Sequence, residues 1–582
     1  MLAVAVLCAM AVSAEARETV TPGTIVTTTE EFVNVDDTTT SNITTGTGAS
    51  IEITTETSKN ASLYVRDGVV KVTGTKLTLN PTKDVAALSV AGNNAVMTFE
   101  NATYAETQGS MKHVGGADGC GTLNFINSKI IGNESELFTI GVHGGYGPSQ
   151  TLVGNGNGSV YQGTYRDAAN GSDNKFGYGE VNISDGSVFN ASFRHMQMGE
   201  GALNVTGNDS LVVIGNQKSD SEYYRGFKMT MGVGENTTSN INVSNGGKVQ
   251  IYAAKYDIYV GGFSTNLSDN STSNITADGG SFLVDNPSNA NEDKFPNGTA
   301  GSSYIGFSYV SDAEDAQYTK NAVANIVVKN AGEVAFKNYT TYIGYAGMKE
   351  NNTFVNIDIQ DKNSSFGIIA HDIDMHEGTV INNRGTVSLD STYIVNRWLN
   401  NGAWVGDPDT NDVDILGGEI NNFSEAKFEV VNGLNLGDRV GSINQKVRVN
   451  NEGEFSAESI AMYGFDTELK NSGTISTTDS IVLKNSARVV NSGTLDTGSS
   501  YTWVNGNGAM LTMKEGSSLG RMFITEGEVV VDGRAKMEGS LQDFNAGDGE
   551  GAQLVFTEDG HLDMGGNSVK LGAVTLVLQK DG

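Results

Sequence analysis

The sequence predicts an all-β protein coiled as a β-solenoid, with parallel strands stacked from coil to coil and loops of variable length. Three observations carry this. Short clusters of Val, Ile, Leu and Phe alternate with polar residues and are bounded by Gly, Asn and Asp, the pattern of strands and turns. Related units recur along the chain. No long stretch after residue 16 has helical periodicity.

Composition bounds the answer. The 582 residues include 73 Gly, 6 Pro and 3 Trp, and the 38% hydrophobic content suffices for a thin, continuous core. Disordered low-complexity sequence would not need alternation in phase with its turns. Lys plus Arg is 37 against 68 Asp plus Glu, a net charge of −31. Nucleic-acid binding needs a basic footprint, which this chain lacks, and an anionic membrane surface would repel it.

Residues 1–16 read as a signal peptide. An apolar run from Leu2 to Val12 precedes Ala14 and Ala16, matching an h-region and an A-x-A-like cleavage site, although no Lys or Arg comes before the run. The run is too short to span a bilayer, and no later stretch reaches that length. The chain is therefore expected to be exported, to the cell surface, the outer membrane or the extracellular space, with no membrane span of its own. Cys8 lies in the removed segment. Cys120 then cannot form an internal disulfide and is read as a small buried side chain. Residues 17–90 are strand-rich and are assigned to an N-terminal cap or the first coils.

Residues 91–370 repeat an apolar residue before glycine, at Val114-Gly115, Ile140-Gly141, Met198-Gly199, Met231-Gly232, Val260-Gly261, Ile305-Gly306 and Ile343-Gly344. A polar loop follows each, then an alternating strand such as "VNISDG" at Val181 or "INVSNGG" at Ile241. The strand is kept and the loop length varies, as when each repeat supplies one packed rung. Residues 371–582 carry a tighter version: "INNRGTVSL" at Ile381, "INNFSEAKFEV" at Ile420, "VNNEGEFSA" at Val449, "LKNSGTIS" at Leu469 and "VVNSGTLD" at Val489. Their starts are 39, 29, 20 and 20 residues apart. Twenty residues then make one coil, and 39 is close to two.

A strand of four or five residues with one apolar face cannot bury that face alone. Coiling stacks equivalent strands about 4.8 Å apart, so the inward residues form a column. Glycine supplies positive φ at corners. Asparagine tolerates the left-handed region and can bond its amide from rung to rung. Asn471 and Asn491 are expected to lie one above the other.

The "VGGADGCGTLNF", "MGEGALNVTG" and "IYVGGF…NITADGGSF" units, with the later "NNRGTVSL", "NNEGEFSA" and "NSGTI" units, resemble the Gly-rich repeats of autotransporter passenger domains and related bacterial adhesin-like surface proteins. The resemblance covers roughly residues 90–580. It implies a right-handed parallel β-helix displayed outside the cell, and a C-terminal β-barrel translocator that this chain lacks, so the C-terminus is expected to be incomplete. The apolar last stretch, "VTLVLQKDG", is expected to favour end-to-end self-association.

Candidate chemistry is sparse. "DPDTNDVD" places Asp407, Asp409, Asn411, Asp412 and Asp414 in one loop, a candidate Ca²⁺ site, although a Ca²⁺ loop would have Gly where Asp412 stands and Glu where Gly418 stands. "AHDIDMHE" offers His371 and, on one face of a strand, Asp372, Asp374 and His376. "VGNGNGS" at Val153 has no following helix to make a phosphate loop. Tyr223, Tyr224, Phe227, Trp398 and Trp404 could stack on sugars or cover loops. No catalytic residues and no cofactor are assigned. The expected function is a non-enzymatic, adhesin-like or structural surface protein that acts by multivalent contact with glycans or proteins of a host or neighbouring cell. The alternatives are a polysaccharide lyase or hydrolase, which would need carboxylates on neighbouring rungs, and a phage tail fibre or spike.

Overall fold

The computed structural model is all-β, with 55 strands and no helix among the described residues. Those residues are the strands between Glu18 and Leu79, chiefly by their backbone, and most of residues 88–579. Within 88–579 the longest intervals outside the description are 143–177, 216–227, 262–269, 286–301, 307–320, 345–352, 405–412 and 543–550. Residues 1–16, the segment expected to be a signal peptide, also lie outside it, Cys8 included. The chain forms two compact units, residues 1–303 with 308–324 and residues 304–307 with 325–582. Each unit by itself is a parallel β-helix.

Most coils contribute three strands, and a strand pairs in parallel with the one three elements further on. Three ladders result. In the first unit, ladder 1 runs through Ala95–Glu100, Gly121–Ile126, Gly179–Ser184, Gly201–Thr206, Thr238–Ser244 and Thr272–Asp278. In the second unit it runs through Thr353–Ile359, Thr379–Asn383, Gly418–Asn422, Val447–Asn451, Thr467–Asn471 and Arg488–Asn491. Ladder 2 of the second unit includes Thr386–Asp390, Lys427–Val430, Glu454–Ala457 and Thr474–Thr477. Its ladder 3 includes Thr340–Ile343, Asp372–Met375, Val413–Ile415, Gly433–Leu436 and Ser459–Met462.

Period-two alternation decides which residues face inward. Met97, Leu123, Val181, Leu203, Ile241 and Ile275 are successive register partners, none more than 3% exposed. Beside them the rings of Phe99 and Phe125 stack 5.0 Å apart at 10°, an arrangement worth about 0.5–1.5 kcal/mol beyond the area it buries.

The apolar-Gly units close the strands of ladder 3. Six of the seven glycines have positive φ: Gly115 66°, Gly141 59°, Gly232 75°, Gly261 92°, Gly306 63° and Gly344 72°. A side chain there would strain the turn out of each strand. Gly199 differs, because a Cβ would meet the Gly141 carbonyl oxygen at 2.5 Å. Close approach, not conformation, requires that glycine.

The later repeats answer to a column of asparagines at the ends of ladder 1 strands. Asn383, Asn422, Asn451, Asn471 and Asn491 are 0–2% exposed. Each Nδ2 donates to the Oδ1 of the next, at 2.8, 2.7, 2.7 and 2.8 Å. The amides also donate to the backbone carbonyls of Lys427, Glu454, Thr474, Thr494 and Ser518 at 2.8–3.2 Å. Asn471 and Asn491 stack as the repeat predicts. The 39-residue step from Asn383 to Asn422 also joins direct register partners. It is one coil carrying a long loop, not the two coils that its length suggested, because rung register is kept while loops tolerate insertion.

Candidate functional site

The buried asparagine column is closed. Its donors and acceptors are engaged inside the coil, so it holds rungs together and offers no surface to a ligand. Chemistry has to be sought on the outward faces.

Ladder 3 of the second unit sets Tyr342, Asp374, Asp414 and Asn435 at one register position on four consecutive rungs. The first three are half-buried, and Asn435 is 8% exposed. Its Nδ2 donates to Asp414 Oδ1 at 2.8 Å. On the other side the ring of Tyr304 stacks on Tyr342 at 5.3 Å and 9°. Next to the column, Asp372 accepts from Thr340 Oγ1 at 3.5 Å, and His371 Nδ1 lies 2.9 Å from Asp372 Oδ1.

Two clusters that are separate in the sequence thus meet, since Asp374 from "HDIDMH" is the register partner of Asp414 from "DPDTNDVD". The pairing depends on the length of the loop between them, which no spacing rule encodes. Burial, and then the negative charges of Asp414 and Asp372, push the Asp374 carboxyl up to about 7. Asp374 therefore holds a proton near neutral pH beside a second carboxylate, as paired acids do.

Several sequence expectations need correction. Asp372 and Asp374 share the outward face, but His376 does not join them. The strand ends at Met375, alternation stops, and Met375 and His376 are buried in succession. Burial pushes the His376 imidazole down to about 4, so it is neutral at pH 7. Asp414 sits on a strand. Asp407, Asp409, Asn411 and Asp412 lie outside the described residues, as do Val153, Tyr223, Tyr224, Phe227, Trp398 and the side chain of Trp404. Among the described residues no group of three or more His, Cys, Asp or Glu is placed to hold a metal ion. Cys120 is exposed rather than buried. It forms a β-bridge directly before Gly121–Ile126, outside the inward-facing positions.

A second acidic region, an open groove lined by residues such as Glu515, Asp532, Arg534, Lys536, Asp559 and His561, carries internally paired charges. Lys514 bonds Asp532 and Lys536 bonds Glu538. The hydrogen bond from Lys514, then that from Thr557, holds the Asp532 carboxyl below its ordinary value.

The shifts at Asp374 and His376 have opposite consequences for stability. Asp374 has a folded pKa above its ordinary 3.8. The folded state therefore keeps a proton that the unfolded state loses, and stability falls as pH rises from about 4 to about 7. His376 has a folded pKa below its ordinary 6.5. The unfolded state takes up a proton first, and stability falls as pH drops from about 6.5 to about 4. In the native chain the two trends offset. Asp374→Asn is expected to make the denaturation midpoint of the second unit climb with pH across 4–6.5, and His376→Gln to make it decline across 4–7. Each change should amount to about 1–2 kcal/mol after allowance for solvent screening. Denaturant titrations at half-unit pH steps check this; a flat profile for His376→Gln would contradict the carboxylate pairing, and one for Asp374→Asn would contradict the burial of His376.

No helix of the described residues is long and apolar enough to cross a membrane. No family model, curated protein or solved structure matches the chain.

Proposed function

We propose that this chain is a secreted or surface-displayed, non-enzymatic β-helical protein, adhesin-like or structural, that acts by multivalent contact. The observation that carries the reading is the outward face of ladder 1, where near-equivalent rungs present Asn, Ser and Thr at one register position after another. Such a surface yields affinity by repetition, without one deep pocket. The resemblance to passenger repeats points the same way. Purified protein clustered on beads is expected to bind cell surfaces about 100-fold more tightly than the same protein in solution, and to release no product from a panel of polysaccharides. Equal binding in both formats, or sustained turnover, would overturn the reading.

A second reading, a polysaccharide lyase or hydrolase, is favoured by the Asp374–Asp414 pair. Carboxylates from successive coils meet there, and Asp374 keeps its proton up to about pH 7, the state that a general acid needs. Under this reading Asp374→Asn or Asp414→Asn would abolish the turnover of a polysaccharide while leaving the protein folded.

A further inference from the structure

We propose that the outward face of ladder 1 in the first unit binds a neutral, hydroxyl-rich polysaccharide laid along the stack of rungs. This deepens, and rests on, the contact reading above. Thr98, Asn124, Asn182, Asn204, Asn242 and Thr276 occupy a single column of register partners, and all are half-buried. The amides are fixed by one another. Asn242 donates to Asn204 at 2.9 Å, Asn204 to Asn182 at 2.8 Å, Asn182 to Asn124 at 2.8 Å, and Asn124 to Thr98 Oγ1 at 3.1 Å. A neighbouring column repeats the arrangement, with Asn274 donating to Asn240 at 2.8 Å.

A primary amide has two N–H donors and two acceptor lone pairs. The column uses one N–H of Asn124, Asn182 and Asn242 and one lone pair of Asn124 and Asn182, and all three residues are partly exposed. Asn204 gives its other N–H to Glu180 Oε1 at 3.1 Å, which ties the nearest carboxylate into the face. Because the amides are already immobilised, a ligand need not order them, and that lowers the entropic cost of binding.

Charge selects the ligand class. The chain as a whole carries −31, whereas this column is built from uncharged amides and hydroxyls. A polyanion would be repelled by the molecule, and the Glu180 carboxylate beside the column is already engaged by Asn204. A hydroxyl is donor and acceptor at once, as an amide is, so a neutral polyol matches the face group for group. Rungs about 4.8 Å apart present the same pair of functions repeatedly along a line, which suits a polymer whose units also repeat.

The test uses the full chain with insoluble cellulose, insoluble chitin and a length series of soluble neutral glucan oligosaccharides. Retention on at least one neutral polysaccharide is expected, with affinity rising with oligosaccharide length. The variant N124T/N182T/N242T removes three amides but keeps residues suited to strands and leaves Asn204 to hold Glu180. It is expected to bind about tenfold more weakly with an unchanged melting temperature. The control N421T/N450T, on ladder 1 of the second unit, is expected to bind as the native chain does. The proposal is overturned if the native chain binds none of the neutral polysaccharides, or if the triple variant folds and binds undiminished. Cell binding that persists after periodate oxidation of surface sugars, without retention on neutral polysaccharide, would indicate a protein ligand; it would sink this inference and leave the contact reading standing. Loss of cell binding and polysaccharide binding together would remove both.

Discussion

Asn471→Leu is expected to destabilise the second unit by about 3 kcal/mol. The side chain is 2% exposed, so water cannot replace the lost bonds. Removing the amide takes the acceptor from Asn451 Nδ2, at 2.7 Å, and the donor from Asn491 Oδ1, at 2.8 Å. It also takes the donor from the Thr494 carbonyl, at 3.0 Å. Three buried groups lose a partner through one substitution, and a buried group left unsatisfied costs about 1–3 kcal/mol. The double variant Asn451→Leu/Asn471→Leu should cost less than the sum of the two single ones, because two adjacent members of one network leave together. Hydrogen exchange resolved by rung is the measurement, since stacked repeats open locally. Faster exchange confined to residues around 451–491 is expected. Uniform protection in the variant would show that the column contributes nothing.

Gly493→Ala is expected to cost about 3 kcal/mol or more, for a different reason. A Cβ at Gly493 would stand 2.1 Å from the Gly473 carbonyl oxygen, and one at Gly473 would stand 2.2 Å from that of Gly453. The obstructing atoms are backbone, so the rungs must separate. Separation strains the bond from the Thr494 N–H to the Gly473 carbonyl, now 2.9 Å. Gly464 provides the contrast. Its φ is +86° and nothing lies within 4 Å of its Cβ position, so Gly464→Ala should cost only about 1–2 kcal/mol, from conformation alone. Chemical denaturation of the two variants side by side separates collision from conformation; equal losses would refute the distinction.

The tetrapeptide Asn-Ser-Gly-Thr therefore recurs because its members act between coils, the asparagine by its amide, the serine by a hydroxyl donated to the asparagine carbonyl of the preceding coil, the glycine by having no side chain and the threonine by its backbone N–H. The repeat and the stacking of Asn471 on Asn491 are legible in the sequence, since both rest on local pattern. The reason for the glycine is not, because it depends on a backbone 20 residues away. Loop length hides more. A 39-residue interval looks like two coils when 20 is the period, yet it is one coil with an insertion. The same variability conceals the Asp374–Asp414 pair, whose members belong to two motifs that seemed unrelated. Period-two alternation places Asp372 and Asp374 on one face, but it fails for His376, where the strand has already ended. It is equally silent about Cys120, which precedes its strand.

The amide columns also have a direction. In the second unit the buried amides donate toward higher-numbered rungs, from Asn383 onward to Asn491. The adjacent outer column donates the opposite way, from Asn450 to Asn421 to Asn382. The two rows of dipoles are antiparallel and oppose one another. In the first unit the columns from Asn242 to Thr98, from Asn274 to Asn240 and from Asn321 to Asn236 all donate toward lower-numbered rungs. Their dipoles add, leaving a fractional positive charge at the Thr98 end and a negative one at the other, the side-chain counterpart of a helix macrodipole. A coil wound onto this unit in reverse would meet donor with donor. The polarity of winding is thus enforced twice, once by the parallel backbone and again by the asparagines.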